Sequence, residues 1–404
     1  MKPITLPYGA SDPLLLEPSA GASVLDCRSP AGVTGGAALA AVETALCSPP
    51  SGPPLAAHVV PGDRVAVAVA GAVPQVAAVI AAVRLQIVRA GVAEDDICIL
   101  RAPPLEEGAP VAEPVPGEHA FDPGDEAGAA YIAADADGQP LHIARALVDA
   151  DVVVTVGGWS WDAALGGESL DDGLWPLFAR LSARQAAVRL LARSGRKARD
   201  RLRAMADEVG WQLGAIASLR VVPGGGGSLR GAVFGIPQAA GRQARRLAAG
   251  WRPHVAGTAR LAIASLANPT GGMAVLVRAV AAAARTTHPE GTICIAGRMS
   301  EPPGIVLTRW RQGTALGPLV REALASGDQT LIRDAMQTRF LARALGDRRL
   351  VILSDLEGAV IEELEFGHAT APEVVERLAH RADSLVVIHE AERMFPRLGG
   401  PGGS

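Results

Sequence analysis

Lysine is almost missing from this 404-residue chain. Of its 38 Lys and Arg residues only Lys2 and Lys197 are lysine, so the other 36 are arginine. Motif-forming cysteines and histidines are missing too: the 4 cysteines show no CxxC spacing, and the 8 histidines form neither HxH nor HExxH. These absences argue against a structural zinc site and leave lysine chemistry only two positions.

The sequence also has no basic block and no long apolar run. Its net charge is −4 at pH 7, so the electrostatic footprint of a nucleic-acid-binding protein is absent. No apolar stretch has the length of a signal-peptide core or of a membrane-spanning helix. We therefore expect a cytoplasmic protein with neither nucleic acid nor membrane as a partner.

Short apolar runs that alternate with helical patterns are present. Val65–Ala70 is such a run, helical periodicity follows over 76–91, and Ile97–Leu100 is the next run. This alternation is typical of α/β proteins with parallel sheets flanked by helices, and the length favours more than one domain. We predict a two-domain α/β fold with domains at 1–250 and 251–397 and a flexible tail over 398–404.

Four consecutive glycines, Gly224 to Gly227, follow an apolar run that ends at Val222. A phosphate-binding loop would lead into the N-terminus of a helix, whereas here apolar alternation resumes at Leu229. The glycine run therefore predicts a hairpin turn rather than a phosphate site.

Short motifs occur in a fixed order along nearly the whole chain. In the first half they are Leu6–Gly9, Ser48–Leu55, Pro61–Arg64, Gly138–Pro140 and Val148–Asp151, with a strand ending at Gly157–Gly158. In the second half they are Glu290–Ile293, Phe340–Leu345 and Val351–Leu356. In content and order these motifs resemble the nickel-pincer lactate racemase family.

The resemblance implies two α/β domains whose interdomain cleft binds a nickel-bearing pyridinium mononucleotide and inverts a 2-hydroxy acid. In that family a lysine tethers the cofactor through a thioamide, one histidine ligates nickel, and two more exchange the hydroxyl proton. Cations bind the substrate carboxylate. The family's chemistry needs each of these groups at its own position.

Two motif positions of the first domain carry other side chains. Where the family has Asp-x-Thr-Arg-Pro, this chain has Gly71 and Pro74 with neither an acid nor an arginine. Where a histidine and an arginine follow the next strand, it has Glu106 and Glu107. The imidazole and the cations of the family are thus absent from these positions.

The cofactor-anchoring positions differ as well. An alignment without gaps after Gly157 places Asp162 at the nickel-binding histidine and Asp172 at the cofactor lysine. An aspartate cannot form the thioamide, and a hard carboxylate is a poor ligand for soft, sulfur-bound nickel. In the second domain the family's lysine aligns with Arg278, and its tryptophan-and-glutamine helix aligns with Met336 and Arg339. We predict no bound metal and no covalently bound pincer nucleotide.

The segment Ser194–Lys197, which reads Ser-Gly-Arg-Lys, is similar to the cofactor-lysine motif but lies out of register. Using it would require an insertion of about two dozen residues after Gly158, and a short motif needs its structural context. The basic residues that follow Lys197 are typical of a solvated helix face.

The sequence is compatible with three functions. The first is a pseudoenzyme that keeps the scaffold and binds a small carboxylate ligand or a homologous protein partner. The second is a diverged isomerase or other small-acid enzyme in which Glu106, Asp162 and Asp172 act as acid/base groups or hold a hard cation. The third is a structural or regulatory subunit of a homologous active enzyme.

The candidate cleft is the place where these functions diverge. Packing of the cleft by Trp159, Trp161 and Trp175 favours a scaffold role, because buried aromatic area is strongly stabilising. An enclosed pocket instead favours ligand binding. The predicted cleft residues are Gly157, Gly158, Trp159, Asp162, Asp172, Arg278 and Arg339.

Overall fold

The apolar runs of the sequence form the centres of two sheets. They are seen in a computed structural model that describes residues 2–105, 115–135, 138–170, 173–215 and 217–399. The run at 65–70 is buried at every position, as expected for a central parallel strand that is covered on both faces. The strands are β1 (Ile4–Leu6), β2 (Leu14–Leu16), β3 (Ser23–Cys27), β4 (Val65–Ala70), β5 (Ile97–Arg101), β6 (Glu118–Ala120), β7 (Ala129–Ala134), β8 (Pro140–Ala144), β9 (Val152–Gly158), β10 (Trp161–Asp162), β11 (Gly167–Glu168), β12 (Ala217–Pro223), β13 (Leu229–Gly235), β14 (His254–Val255), β15 (Ala259–Ser265), β16 (Thr287–Ala296), β17 (Arg349–Leu353), β18 (Gly367–His368), β19 (Ser384–Ile388) and β20 (Arg397–Leu398).

Helices cover the sheets. Most of them bury one face, but the helix after β15 is apolar almost all round and lies buried between its neighbours. The helices are α1 (Gly35–Cys47), α2 (Val76–Arg89), α3 (Arg145–Val148), α4 (Leu181–Ser194), α5 (Arg196–Gln212), α6 (Pro237–Leu247), α7 (Met273–Ala284), α8 (Ile305–Arg311), α9 (Leu316–Ser326), α10 (Gln329–Leu345), α11 (Gly358–Glu363) and α12 (Pro372–Arg381).

The first sheet has the strand order β13-β12-β9-β4-β5-β6. Adjacent strands in this sheet are parallel, except that β12 and β13 are antiparallel. The glycine run lies in the turn between these two strands, so the predicted hairpin is confirmed. Because the chain adds strands on both sides of β4, this sheet has a topological switch point between β4 and β9, where an open α/β sheet binds its ligand.

The second sheet has the order β18-β17-β16-β15-β19-β3 and is parallel throughout. Its switch point lies between β15 and β19. The edge strand β3 comes from the N-terminal end of the chain, so the second sheet includes residues of the predicted domain 1–250. The boundary at residue 250 stays a prediction.

A continuous hydrophobic core joins the two sheets. It contains Ala66 and Leu100 of the first sheet together with Val280 and Ile293 of the second half. The predicted α/β architecture, with mainly parallel sheets flanked by helices, is confirmed. In the predicted tail over 398–404, Leu398 pairs with Val255, and residues 400–404 lie outside the described residues. Within the described ranges, no helix is long and apolar enough to cross a membrane.

Candidate functional site

The switch point of the first sheet is closed by the protein's own backbone. Gly71 follows β4 with a φ of 65°, and Ala72 then lies directly over Gly158 at the end of β9. A Cβ atom on Gly158 would lie 2.2 Å from the carbonyl oxygen of Ala72, so this approach requires glycine. Gly157 is buried in the same strand, and Pro74 precedes α2. The crevice expected between β4 and β9 is therefore filled.

Aromatic side chains fill the space beyond the end of β9. Trp159 and Trp161 are 1% and 5% exposed, and their rings meet edge to face with centroids 4.9 Å apart. Trp161 also contacts Phe395, with ring centroids 5.4 Å apart, and the Arg252 guanidinium lies 4.0 Å from the centroid of the Trp161 ring. Trp175 is buried as well. All three tryptophans of the predicted cleft therefore belong to the packed hydrophobic core.

Asp162 is buried, and both of its carboxylate oxygens are engaged. Oδ2 lies 3.1 Å from Arg278 Nε, and Oδ1 accepts a hydrogen bond of 2.9 Å from the backbone N–H of Leu165. The Asp162 side chain is 4% exposed and that of Arg278 is 23% exposed. Arg278 lies on α7, which follows β15, so the ion pair joins the end of the first sheet to a helix of the second. Two predicted site residues do come together, and their charges compensate each other.

Met336 and Arg339 lie on α10 and have structural contacts. Met336 is fully buried in the hydrophobic core. Arg339 donates through Nη1 to the backbone carbonyls of Ala192 and Arg193 in the last turn of α4. Carbonyls in the last turn of a helix have no partner within the helix, so Arg339 fastens the end of α4 to α10.

Three predicted site residues, Glu106, Glu107 and Asp172, lie outside the described residues, and their roles stay predictions. Lys197 is exposed in the first turn of α5, but Arg199 is buried, so the predicted solvated basic face is confirmed only in part. Among the residues that the structure does describe, no group of three or more His, Cys, Asp and Glu side chains could hold a metal ion.

The second sheet has an open crevice at its own switch point. The crevice has a volume of about 470 Å³ and lies where β15, β19 and β3 end. The N-terminal segment and the hairpin turn at Gly226 also line it. Its polar lining consists of Thr5 from β1, Ser265 from β15, His389 and Glu390 after β19, and Arg28 and Ser29 after β3.

A carboxylate orders the polar groups of this crevice. His389 Nε2 lies 3.0 Å from Asp26 Oδ1, and Arg28 Nε donates to Asp26 Oδ2 at 2.6 Å. Burial by itself would raise the pKa of Asp26, but the hydrogen bonds from His389 and Arg28 outweigh it and hold this pKa below its usual value. Because an ionised carboxylate only accepts, Nε2 of His389 carries a proton in this contact.

Two further groups complete the crevice. Glu390 Oε1 accepts a hydrogen bond of 2.6 Å from the backbone N–H of Gly226, which ties the hairpin turn to the second sheet. The Ser29 hydroxyl is buried and has no hydrogen-bond partner among the described residues. An arginine, an unpaired hydroxyl and a carboxylate-held imidazole can bind an anion and exchange a proton.

This crevice is not predicted from the sequence. Arg28 and His389 come directly after a strand, Ser29 and Glu390 are the next residues, and this position at a strand end was the available signal. The order of strands in the sheet decides which strand ends meet, and apolar runs do not reveal that order. His389 and Asp26 are 363 residues apart in sequence, so no local motif connects them.

Known structures share this architecture. The lactate racemase apoprotein from Thermoanaerobacterium thermosaccharolyticum superposes with a TM-score of 0.72 at 16% sequence identity, over 98% of this chain and 100% of that chain. The chain has a lactate-racemase-like fold. A Thermotoga maritima protein solved by a structural genomics consortium gives a TM-score of 0.60 at 12% identity, over 85% of this chain and 96% of the other. No protein-family model and no curated protein matches the sequence.

The described residues of this lactate-racemase-like fold do not fit a covalently held nickel-pincer nucleotide. Asp162, which the sequence alignment predicts at the position of the nickel-binding histidine, offers a hard oxygen donor, and its oxygens already contact Arg278 and the Leu165 N–H. Soft, sulfur-bound nickel favours nitrogen and sulfur ligands. The neighbouring space is filled by Trp159 and Trp161.

Proposed function

We propose that this lactate-racemase-like protein is a pseudoenzyme that neither tethers the pincer nucleotide nor racemises 2-hydroxy acids, and that it binds a small carboxylate ligand. The observation that carries the loss of racemisation is the buried ion pair between Asp162 and Arg278. The ligand site is the crevice of the second sheet.

The ion pair supports the loss because it takes up two positions that the family needs for chemistry. Separating a buried pair so that one charge stays buried costs about 3–5 kcal/mol. A ligand that entered between Asp162 and Arg278 would have to offset that cost and also displace the packed rings of Trp159 and Trp161. The backbone contact between Ala72 and Gly158 closes the same region from the other side.

The crevice of the second sheet offers suitable donors for a carboxylate. The hydrogen bond from Arg28 to Asp26 uses Nε, so the terminal guanidinium nitrogens can donate to a ligand in the bidentate manner that carboxylates favour. The unpaired hydroxyl of Ser29 is a further donor. The volume of about 470 Å³ is in the range of small-molecule sites.

The loss of cofactor tethering is tested by intact-mass spectrometry. The protein is purified from cells that make the pincer nucleotide and are supplied with nickel, and D- and L-lactate are separated by chiral chromatography after incubation with it. We expect the mass of the bare polypeptide and no interconversion of the two acids. A cofactor adduct on Lys197, or racemisation above background, would contradict the proposal.

Ligand binding is tested by calorimetry with a panel of 2-hydroxy acids and dicarboxylates. We expect Arg28→Gln to weaken binding of the best ligand about tenfold or more, because a hydrogen bond to a charged group is lost. The control is Arg309→Gln, since Arg309 pairs with Glu322 on the surface. If no acid of the panel binds the wild-type protein, or if both variants bind equally well, the ligand proposal fails.

A second candidate function is a diverged isomerase or other small-acid enzyme, which the contact between His389 and Asp26 favours. An imidazole oriented by a carboxylate can act as a general base. Asp162 is a poorer candidate because both of its oxygens are engaged. Exchange of the C2 proton of a bound 2-hydroxy acid in D₂O, lost in His389→Gln, would favour this function, and absence of exchange would exclude it.

A further inference from the structure

Four arginines line a pocket where the loop after β10 meets α5, α7 and α10, away from the crevice at the end of β19. The pocket has a volume of about 460 Å³ and is lined by Arg196, Arg285, Arg343 and Arg348. Among the described residues no acidic side chain lines it. The other lining residues are mostly small or aromatic and include Ala281, Ala284, Ala344, Phe340 and Phe395.

Two of the arginines are half-buried and are held by neutral groups. Arg285 Nε donates to the carbonyl of Pro396 at 2.7 Å, and its guanidinium lies 4.0 Å from the centroid of the Phe395 ring. Arg348 donates through Nε and Nη2 to the carbonyl of Thr287 at 3.2 and 3.0 Å. Burial lowers the pKa of both guanidiniums, although the charge of the nearby Asp347 carboxylate acts in the opposite direction on Arg348. These contacts orient the two side chains without neutralising their charge.

The other two arginines are exposed: Arg343 lies on α10, and Arg196 follows a turn that packs on α10. Gly195, between α4 and α5, has a φ of 53°, and a Cβ atom there would lie 3.5 Å from the Phe340 ring and 3.7 Å from Arg343 Nη1. The turn therefore packs directly on α10, beside Arg343, and Arg196 follows it at once. Arg339 fastens the preceding turn of α4 to the same helix, so the rim of the pocket is preformed.

None of the four arginines forms an ion pair within the described part of the chain, although arginines elsewhere do. Arg101 pairs with Glu118, and Arg298 pairs with Asp355 at 2.7 Å. Like charges around one pocket repel each other, and the repulsion is stronger at a partly buried site than in water. An anion in the pocket would relieve it.

We propose that this pocket binds an organic diphosphate. Guanidiniums donate two parallel hydrogen bonds to phosphate oxygens, and two adjacent phosphates present enough oxygens for four arginines. The volume is in the range of an organic ligand rather than a bare ion. The alanine and phenylalanine walls provide apolar contact for the rest of the molecule. This site goes beyond the proposed function, since it depends neither on the carboxylate crevice nor on the loss of racemisation.

The test is calorimetry on the full chain with ADP, inorganic pyrophosphate and citrate at constant ionic strength. We expect ADP to bind, pyrophosphate to bind at least tenfold more weakly, and citrate to bind more weakly still. The double variant Arg196→Gln/Arg343→Gln should weaken ADP binding about a hundredfold, from two charge-assisted contacts of about tenfold each. Both side chains are exposed, so circular dichroism should not change and the melting temperature should not fall.

The controls separate this site from other causes. Arg309→Gln and Arg28→Gln should leave ADP affinity unchanged, and the effect of Arg28→Gln on carboxylate binding tests the other site alone. Failure of ADP to bind, or an unchanged affinity in the double variant, would overturn the proposal. Equal affinity for citrate would overturn the choice of phosphate, and equal affinity for pyrophosphate would overturn the role of the apolar walls.

Discussion

Replacing Arg278 by methionine tests the ion pair on which the proposed loss of racemisation depends. Methionine keeps much of the length of the side chain but leaves the Asp162 carboxylate, 4% exposed, with its hydrogen bond from the Leu165 N–H. Breaking a buried pair in this way costs about 3–5 kcal/mol of the free energy of unfolding. Because Arg278 is 23% exposed, water can partly solvate the site, and we expect about 3 kcal/mol.

The change in melting temperature follows from the size of the chain. With an unfolding entropy of about 2.1 cal/mol/K per residue over 404 residues, a loss of 3 kcal/mol lowers the melting temperature by about 3–4 °C if the chain unfolds in one transition. Asp162→Asn should cost less, about 1–2 kcal/mol, because the amide oxygen can still accept from Leu165. The double variant should cost about 1–3 kcal/mol less than the sum of the two.

Scanning calorimetry and urea unfolding followed by tryptophan fluorescence measure these differences, and Trp159 and Trp161 report on the region directly. The matched control is Arg309→Met, which removes an exposed pair with Glu322 and should cost less than about 1 kcal/mol. The reasoning is refuted if Arg278→Met costs no more than this control, or if the Asp162 and Arg278 effects are additive.

Three further changes test other parts of the structure. Gly158→Ala should lower the free energy of unfolding by about 2 kcal/mol or more, because the added Cβ would meet the Ala72 carbonyl oxygen at 2.2 Å. Gly210→Ala is the control: a Cβ there has nothing within 4 Å, so the free energy of unfolding should rise by about 0.5–1 kcal/mol and the melting temperature should rise with it. Asp26→Asn should lower the urea midpoint at pH 6 but not at a pH below the lowered pKa of Asp26. The ionised Asp26 carboxylate stabilises the folded state above the usual pKa of 3.8, and this contribution is lost as the pH falls through the lower pKa of the folded state. An equal decrease of the urea midpoint at both pH values would contradict this prediction. Arg184→Met should cost about 3 kcal/mol in urea unfolding, because the buried guanidinium bonds the carbonyls of Leu177, Pro103 and Pro104; a cost as small as that of Arg309→Met would contradict the structural role.

The sequence allowed the layers of the fold to be predicted, but only part of the site. Apolar runs such as Val65–Ala70 identify central strands because burial on both faces demands them. Asp162 and Arg278, which were both predicted as cleft residues, do lie together, although their direct contact was not foreseen. The crevice around His389 and the pocket around Arg343 depend on strand order and helix docking, which bring together residues that no local pattern connects.

The pairing of β3 with β19 has a consequence for how the protein is made. β3 leaves the ribosome long before β19, because Ser384 lies 361 positions after its partner Ser23 in the chain. At a synthesis rate of about 5–20 residues per second, β3 waits roughly 20–70 s for its partner. The first sheet has all of its strands well before that time, because β13 ends at Gly235, so it can fold while the chain is still growing. The second sheet and its crevice can be completed only after β19 has been made.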